Sequence, residues 1–161
     1  MKFYKMRRMN IKITKAVLAD ISKMQELVAP EIESGIILVR SDDEIATNIR
    51  SYILAKDGSE IVGFCALHIH EPSLAELRSL IVKESYRGQK IGEQLINKAM
   101  NEASVLGLHK VLSLTYKQSF FERLGFVEIP KESLPEHKIW ADCIKCKHFP
   151  ICNEVSLIKT L

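Results

Sequence analysis

The sequence predicts an α/β fold, a sheet of mixed direction flanked by helices. Three observations point there. Apolar residues alternate with a period of two in several short stretches and recur at three- and four-residue spacing in others, and the two kinds of stretch are interleaved. Two adjoining strand-like runs, 52–56 and 61–70, flank Asp57-Gly58-Ser59, a hairpin signal. A length of 161 residues, 47% of them hydrophobic, suffices for one buried core and not for two ordinary domains.

Residues 11–14 alternate and read as the first strand. Leu18, Ile21, Met24, Leu27 and Val28 follow at helical spacing. Ser41-Asp42-Asp43-Glu44 is a capping box: the Ser41 hydroxyl can accept from the third helical amide, Glu44 can reach back to the Ser41 amide, and the acids suit the positive helix end. Ile45 and Ile49 continue that short helix. After the hairpin, Glu71-Pro72-Ser73 turns the chain into a strand at Leu74–Val82. A long amphipathic helix carries Ile91, Leu95, Ala99, Ala103 and Leu106 on one stripe. Gly107 ends it, as a glycine free to take a left-handed conformation does. Lys110–Thr115 is a strand, 119–124 a short helix stopped by Gly125, and 126–129 and 155–158 are later strands. The order is βααβββαβαββ, without internal repeats or low-complexity tracts.

Composition narrows the partners. No apolar run reaches the ~18 residues of a membrane-spanning helix, and none near the start has the length of a signal-peptide core, so the expectation is a cytoplasmic protein with no membrane partner. The net charge of +3 resides in the first eight residues, where Lys2, Lys5, Arg7 and Arg8 stand without an acid. Set those four aside and the 23 basic residues fall to 19, one fewer than the 20 acids. The rest of the chain is nearly neutral, which disfavours a nucleic-acid partner. Residues 1–8 read as a disordered basic extension and 9–161 as one domain, its tail at 138–161 containing cysteines. Assembly into a homodimer is left open.

Cys65 lies in an apolar run and reads as a core residue. Cys143, Cys146 and Cys152 crowd into ten residues, with His148 between them. Those four could supply a structural zinc site. The spacing after the single CxxC is not that of a standard zinc finger, and bare reduced thiols are the alternative. Trp140 and Phe149 read as residues that pin the tail to the core.

The chemistry is concentrated between the fourth strand and the long helix. The run from Leu80 to Gly92 brings small residues to a helix start, where backbone amides and the helix dipole can approach an anion. A short glycine pattern alone also describes a structural turn. The full segment, however, resembles the diphosphate-binding motif of the GNAT N-acetyltransferases, Arg/Gln-x-x-Gly-x-Gly/Ala. Arg87-Gly88-Gln89-Lys90-Ile91-Gly92 matches it in length and at both ends. Lys90 replaces the middle glycine, and the expectation is an ordinary helical conformation there. A second signature, aromatic-Glu-Lys/Arg-Leu-Gly-Phe, is matched by Phe121-Glu122-Arg123-Leu124-Gly125-Phe126.

That resemblance, running from about Met9 to Ile129, implies acetyl-CoA as co-substrate. It assigns the diphosphate to Arg87, Gly88, Gln89, Lys90, Ile91, Gly92 and Glu93. It implies a mixed, mostly antiparallel sheet, and it assigns the pantetheine arm to Leu80, Ile81 and Val82, on a strand that splays from its neighbour at the centre of that sheet. Acetyl transfer needs a neutral amine, hence a base, and the tetrahedral intermediate needs a donor for its oxyanion. By position in the family, Glu76 is the candidate base. Its bland alternative is an ion pair with Arg78, two residues on and on the same face. His68 and His70 on the adjacent strand are further candidates. The family's usual tyrosine acid is replaced by Phe121, leaving Tyr116 as a substitute. The CoA thiol is acidic enough for water or a backbone amide to serve instead.

Four stretches resemble, more narrowly, the short kinase-less form of the N-acetylglutamate synthases: Gly35-Ile36-Ile37-Leu38-Val39-Arg40-Ser41, Ala75-Glu76-Leu77-Arg78-Ser79-Leu80, Leu114-Thr115-Tyr116 and Lys138-Ile139-Trp140-Ala141-Asp142-Cys143-Ile144-Lys145-Cys146. The implied acceptor is L-glutamate, in the first step towards arginine, with Arg40, Arg78 and Lys117 as candidate substrate-binding residues. The chemistry agrees in kind, because guanidinium groups hold carboxylates bidentately. Charge alone would equally suit aspartate or another acidic metabolite. Another small amine, a protein N-terminus, or a non-catalytic acetyl-CoA-binding or zinc/thiol regulatory role stand as alternatives.

Overall fold

A computed structural model describes residues 9–136, 138, 142–146, 148 and 152–161. The basic leader, Trp140 and Phe149 lie outside the described residues, and with them the expectations of a disordered extension and a pinned tail.

Among the described residues seven strands form one sheet, in the order β1-β2-β3-β4-β5-β7-β6. β1 (Ile11–Lys15), β2 (Tyr52–Asp57), β3 (Glu60–Glu71) and β4 (Leu74–Val82) are successive antiparallel neighbours. β4 runs parallel to β5 (Lys110–Thr115), because the connection between them crosses over through α3 (Ile91–Val105). β7 (Val155–Thr160) pairs antiparallel with β5 on one side and with β6 (Val127–Ile129) on the other.

The two faces of the sheet are covered by different helices. α3 buries Ile91, Leu95, Ile96, Ala99, Met100 and Ala103 along one stripe, together with Ile53 and Ala55 of β2. α1 (Ile21–Glu33) and α2 (Asp42–Thr47) cover the opposite face, where Met24, Val28 and Ile45 join Tyr52 and Leu54 of β2. Alternate residues of β2 therefore enter opposite cores, which explains an apolar run without polar interruption. The Ser41 hydroxyl accepts from the Glu44 amide at 3.1 Å, the first half of the predicted capping box. Two residues counted on apolar stripes do not belong there. Leu18 sits in a 3-10 turn and Leu106 follows the end of α3, and both are exposed.

The feature that positions the site is a fork in the sheet. β4 and β5 pair only at Leu74↔Lys110, Ala75↔Val111 and Glu76↔Leu112. From there on β4 has no partner on that side among the described residues and the central pair splays, as the family resemblance implies. A bulge lies on the same stretch: while β3 advances from Phe64 to Ala66, its β4 partner moves from Ile81 to Arg78. Within the bulge Ser79 has φ 58°, a left-handed conformation rare for a residue with a side chain. Opposite, Gly63 is packed so tightly that an added Cβ would lie 2.8 Å from the Ile81 carbonyl oxygen.

Candidate active site

Beyond the fork, β4 leads through a 3-10 turn at Glu84–Tyr86 into the head of α3. Gly88 turns the chain at φ 75°, and Lys90 caps the helix at φ 62°, ψ 19°. Lys90 is thus left-handed, not helical. The chain must turn into α3 there through a conformation that glycine adopts without penalty, and the lysine accepts a strain of ~1–2 kcal/mol. Its side chain is exposed. The amides of Lys90, Ile91, Gly92 and Glu93 donate to no acceptor among the described residues. Four unsatisfied donors at the positive end of a 15-residue helix are suited to an anion such as a diphosphate. Arg87 is engaged otherwise: its Nε donates to the Val82 carbonyl at 3.0 Å, and its guanidinium lies 3.3 Å from Glu31. It fastens the loop to β4 and α1. Leu80 and Val82 pack towards the α3 core, and Ile81 towards the α1 core.

Glu76 stands where β4 and β5 part, 2% exposed. His70 Nε2 lies 2.9 Å from its Oε1, and Lys138 Nζ lies 2.8 Å from its Oε2. Lys138 also reaches Asp142 Oδ2 at 3.0 Å. Asp142 is the centre of a second cluster: Arg40 and Arg78 each bring an NH1 to 3.2 Å of its carboxylate, one on each oxygen. The alternative pairing of Glu76 with Arg78 is therefore not made, since Arg78 turns to Asp142. Both arginines nevertheless keep a buried Nε without a hydrogen-bond partner among the described residues.

The charges set one another. Burial pushes the Glu76 carboxyl up, but the His70 hydrogen bond and the Lys138 ammonium outweigh it and hold the group below the usual carboxylate range. Burial likewise opposes the ionisation of Asp142, yet Lys138, Arg40 and Arg78 drive its carboxyl far down. Burial disfavours the Lys138 ammonium, and its two carboxylate partners more than restore it. His68 is pushed down to about 4 by burial, Arg78 and His70, so it is neutral at pH 7.

A cleft of about 230 Å³ opens on this cluster. Arg40, Glu76, Arg78, Lys138 and Asp142 border it, and so do Cys143, Cys146, Cys152 and the run from Gly35 to Val39. The structure thus gathers Glu76, Arg40 and Arg78, singled out in the sequence for catalysis and acceptor binding, together with three of the four candidate zinc ligands, Cys143, Cys146 and Cys152. Tyr116 and Lys117 are not among the residues bordering the cleft. Tyr116 is exposed, its ring 6.3 Å from that of His148. The Lys117 amide caps onto Thr115 Oγ1 at 2.9 Å. Phe121 is buried against Phe120 and Phe126. The proposed zinc ligands are not assembled either. Among the described residues no group of three or more His, Cys, Asp or Glu side chains could hold a metal ion. The His148 ring contacts the Gly35 carbonyl at 3.1 Å, while the Cys152 thiol lies 3.7 Å from the Glu154 carboxylate.

Lys138 and Asp142 received no role from sequence reasoning. Their one local signal is an acid four residues after a base, the spacing of an i,i+4 pair. Nothing local foretells that Glu76, Arg40 and Arg78 close around that pair.

Comparison with known proteins places this geometry in a family. The Acetyltransferase (GNAT) domain profile matches residues 48–128. An uncharacterised N-acetyltransferase of Chlorobaculum tepidum is 38% identical over 149 residues, covering 92% of this chain and 96% of that protein. The amino-acid acetyltransferase of Aeromonas salmonicida is 29% identical over 122 residues, 74% of this chain but 28% of that longer relative. Among solved structures, N-acetylglutamate synthase from Neisseria gonorrhoeae, complexed with coenzyme A and N-acetyl-glutamate, superposes with a TM-score of 0.84 at 22% identity, over 96% of this chain and 36% of that one. A Mycobacterium tuberculosis protein in complex with CoA gives 0.79 at 21% identity, over 93% of this chain and 99% of that one. The chain belongs to the GNAT acetyltransferase family. It is an acetyl-CoA-dependent acetyltransferase, and its open, forked sheet is the fold of those neighbours.

Proposed function

We propose that the chain acetylates the α-amine of an acidic amino acid, L-glutamate first among them, as a cytoplasmic step of arginine biosynthesis. The observation that carries this reading is the convergence of Arg40 and Arg78 on one carboxylate at 3.2 Å, beside the buried Glu76. A cleft that seats the Asp142 carboxylate between two guanidiniums has the dimensions and charge to seat one from an acceptor. The N-acetylglutamate synthase fold neighbour and the amino-acid acetyltransferase relatives support the same class of acceptor.

In this reading the free amides at the head of α3 hold the diphosphate of acetyl-CoA, and the stretch of β4 at Leu80, Ile81 and Val82, paired with β3 but not with β5, faces its pantetheine arm. The acceptor arrives as an ammonium and must lose a proton before it can attack a thioester. Glu76 is ionised at neutral pH and takes that proton. A carboxylate has about four lone-pair positions, so His70 and Lys138 leave room for the acceptor N–H. The test is thiol release from acetyl-CoA across a panel of amino acids, diamines and short peptides. L-Glutamate should lead, with glutamine poor for want of the second charge. A preference for a neutral or basic amine would overturn the reading.

A further inference from the structure

The seat between Arg40 and Arg78 is already taken by a carboxylate of the chain's own. Asp142 lies 102 residues from Arg40 and 64 from Arg78, on the segment that also brings Lys138 to Glu76. It occupies one NH1 of each guanidinium, while each Nε is buried and unpartnered among the described residues. The site is therefore incompletely satisfied by its occupant. A carboxylate that took the place of Asp142 could engage each guanidinium along its Nε edge as well. Resting on the acidic-acceptor reading, we propose that Asp142 is a specificity-determining residue: a tethered carboxylate that an acceptor's own carboxylate must displace from Arg40 and Arg78.

The exchange has a definite energetic form. A ligand that binds only the displaced state has its apparent affinity reduced by the fraction of molecules in that state. A group tethered within the same chain competes at an effective concentration in the millimolar range. An acceptor that needs both guanidiniums bears the whole of this discount. One that needs a single remaining donor edge bears little of it. Asp142 thus moderates the preference for dicarboxylates and sets the concentration at which they enter.

Binding of glutarate, a dicarboxylate without an amine, measures the exchange without turnover. Titrated calorimetrically in the presence of CoA, glutarate should bind Asp142→Asn roughly fivefold or more tightly than the wild type, as millimolar competition implies. Acetyl-CoA should stabilise both proteins equally, which also reports folding. Unchanged or weaker glutarate binding in a folded Asp142→Asn protein would overturn the proposal. A second measurement uses the wild type alone. Cys143 follows Asp142 in the chain, and both Cys143 and Cys146 border the cleft. Displacing Asp142 should carry these thiols outward, so glutarate should accelerate their alkylation, read residue by residue by mass spectrometry. Buried Cys65 provides the unreactive reference. Protection of Cys143 and Cys146 by glutarate would mean that the ligand binds over a retained Asp142 and would end the proposal. The two readings fail separately. An enzyme that prefers a non-acidic amine, yet binds glutarate more tightly as Asp142→Asn, loses the acceptor assignment and keeps the exchange.

Discussion

Arg40 and Arg78 each have one strong partner, and that partner is shared. Replacing either with alanine removes a charged hydrogen bond from the acceptor, a loss of roughly 1.5–3 kcal/mol. The KM for glutamate should rise about 10- to 150-fold, with that for acetyl-CoA little altered; normal glutamate kinetics in both variants would remove them from the acceptor site. Glu76→Gln should lower kcat by ~10²–10⁴-fold at nearly constant acetyl-CoA affinity. Because the Glu76 carboxyl titrates below the ordinary range, the acidic limb of the wild-type rate profile should lie at low pH and vanish in the variant. Full activity of Glu76→Gln would make the residue a structural ion-pair member. At this scale the sequence was legible where a family motif marks a position, as at Glu76 and Arg40. It was silent on Lys138 and Asp142, whose roles depend on contacts 62 and 102 residues away along the chain, distances over which local pattern carries no information.

Elements were more legible than residues. The bounds expected for β4 and β5 coincide with those observed, since turn residues or charges flank both. The left-handed Lys90 was misread for a physical reason: composition says which residues tolerate positive φ, while geometry decides where positive φ is required. The loop itself offers a direct test. Gly88 has open space around its missing Cβ and a conformation that Asp tolerates, and Asp near a helix N-terminus suits the dipole. Gly88→Asp and Gly92→Asp should therefore fold and still abolish the thermal stabilisation by acetyl-CoA, because each sets a carboxylate against the diphosphate. A retained shift in both would move the cofactor site elsewhere. Gly63→Ala tests the fork from the other side. With backbone oxygen 2.8 Å from the new methyl group, β3 and β4 must part. Overpacking of this kind costs ~1–3 kcal/mol, readable as a lower denaturant midpoint, and an unchanged midpoint would show that the strands separate freely.

For the whole molecule the buried charges predict a two-stage response to acid. His68 has a folded pKa of about 4, below its unfolded value near 6.5. The unfolded chain takes up the proton first, so stability falls as pH drops through that window. Glu76 and Asp142 have depressed carboxyl pKa values, and their contribution is full above the unfolded values near 4 and lost below them. Melting temperature should decline gently from about pH 6.5 and steeply below about pH 4; His68→Asn should flatten the first stage and Asp142→Asn the second. A first stage unchanged in His68→Asn would assign it to other groups. The order of the sheet carries a further consequence, for synthesis. β7 is inserted between β5 and β6, so β6 has no partner until residues 155–160 have left the ribosome. Residues 11–115 already contain the hairpins, the crossover helix and the head of α3, whereas the Lys138–Asp142 pair and β7 come later. A nascent chain can thus form the turn and free amides at the head of α3 well before the cleft around Glu76 and Asp142, and a ribosome stalled after β5 would display the first without the second.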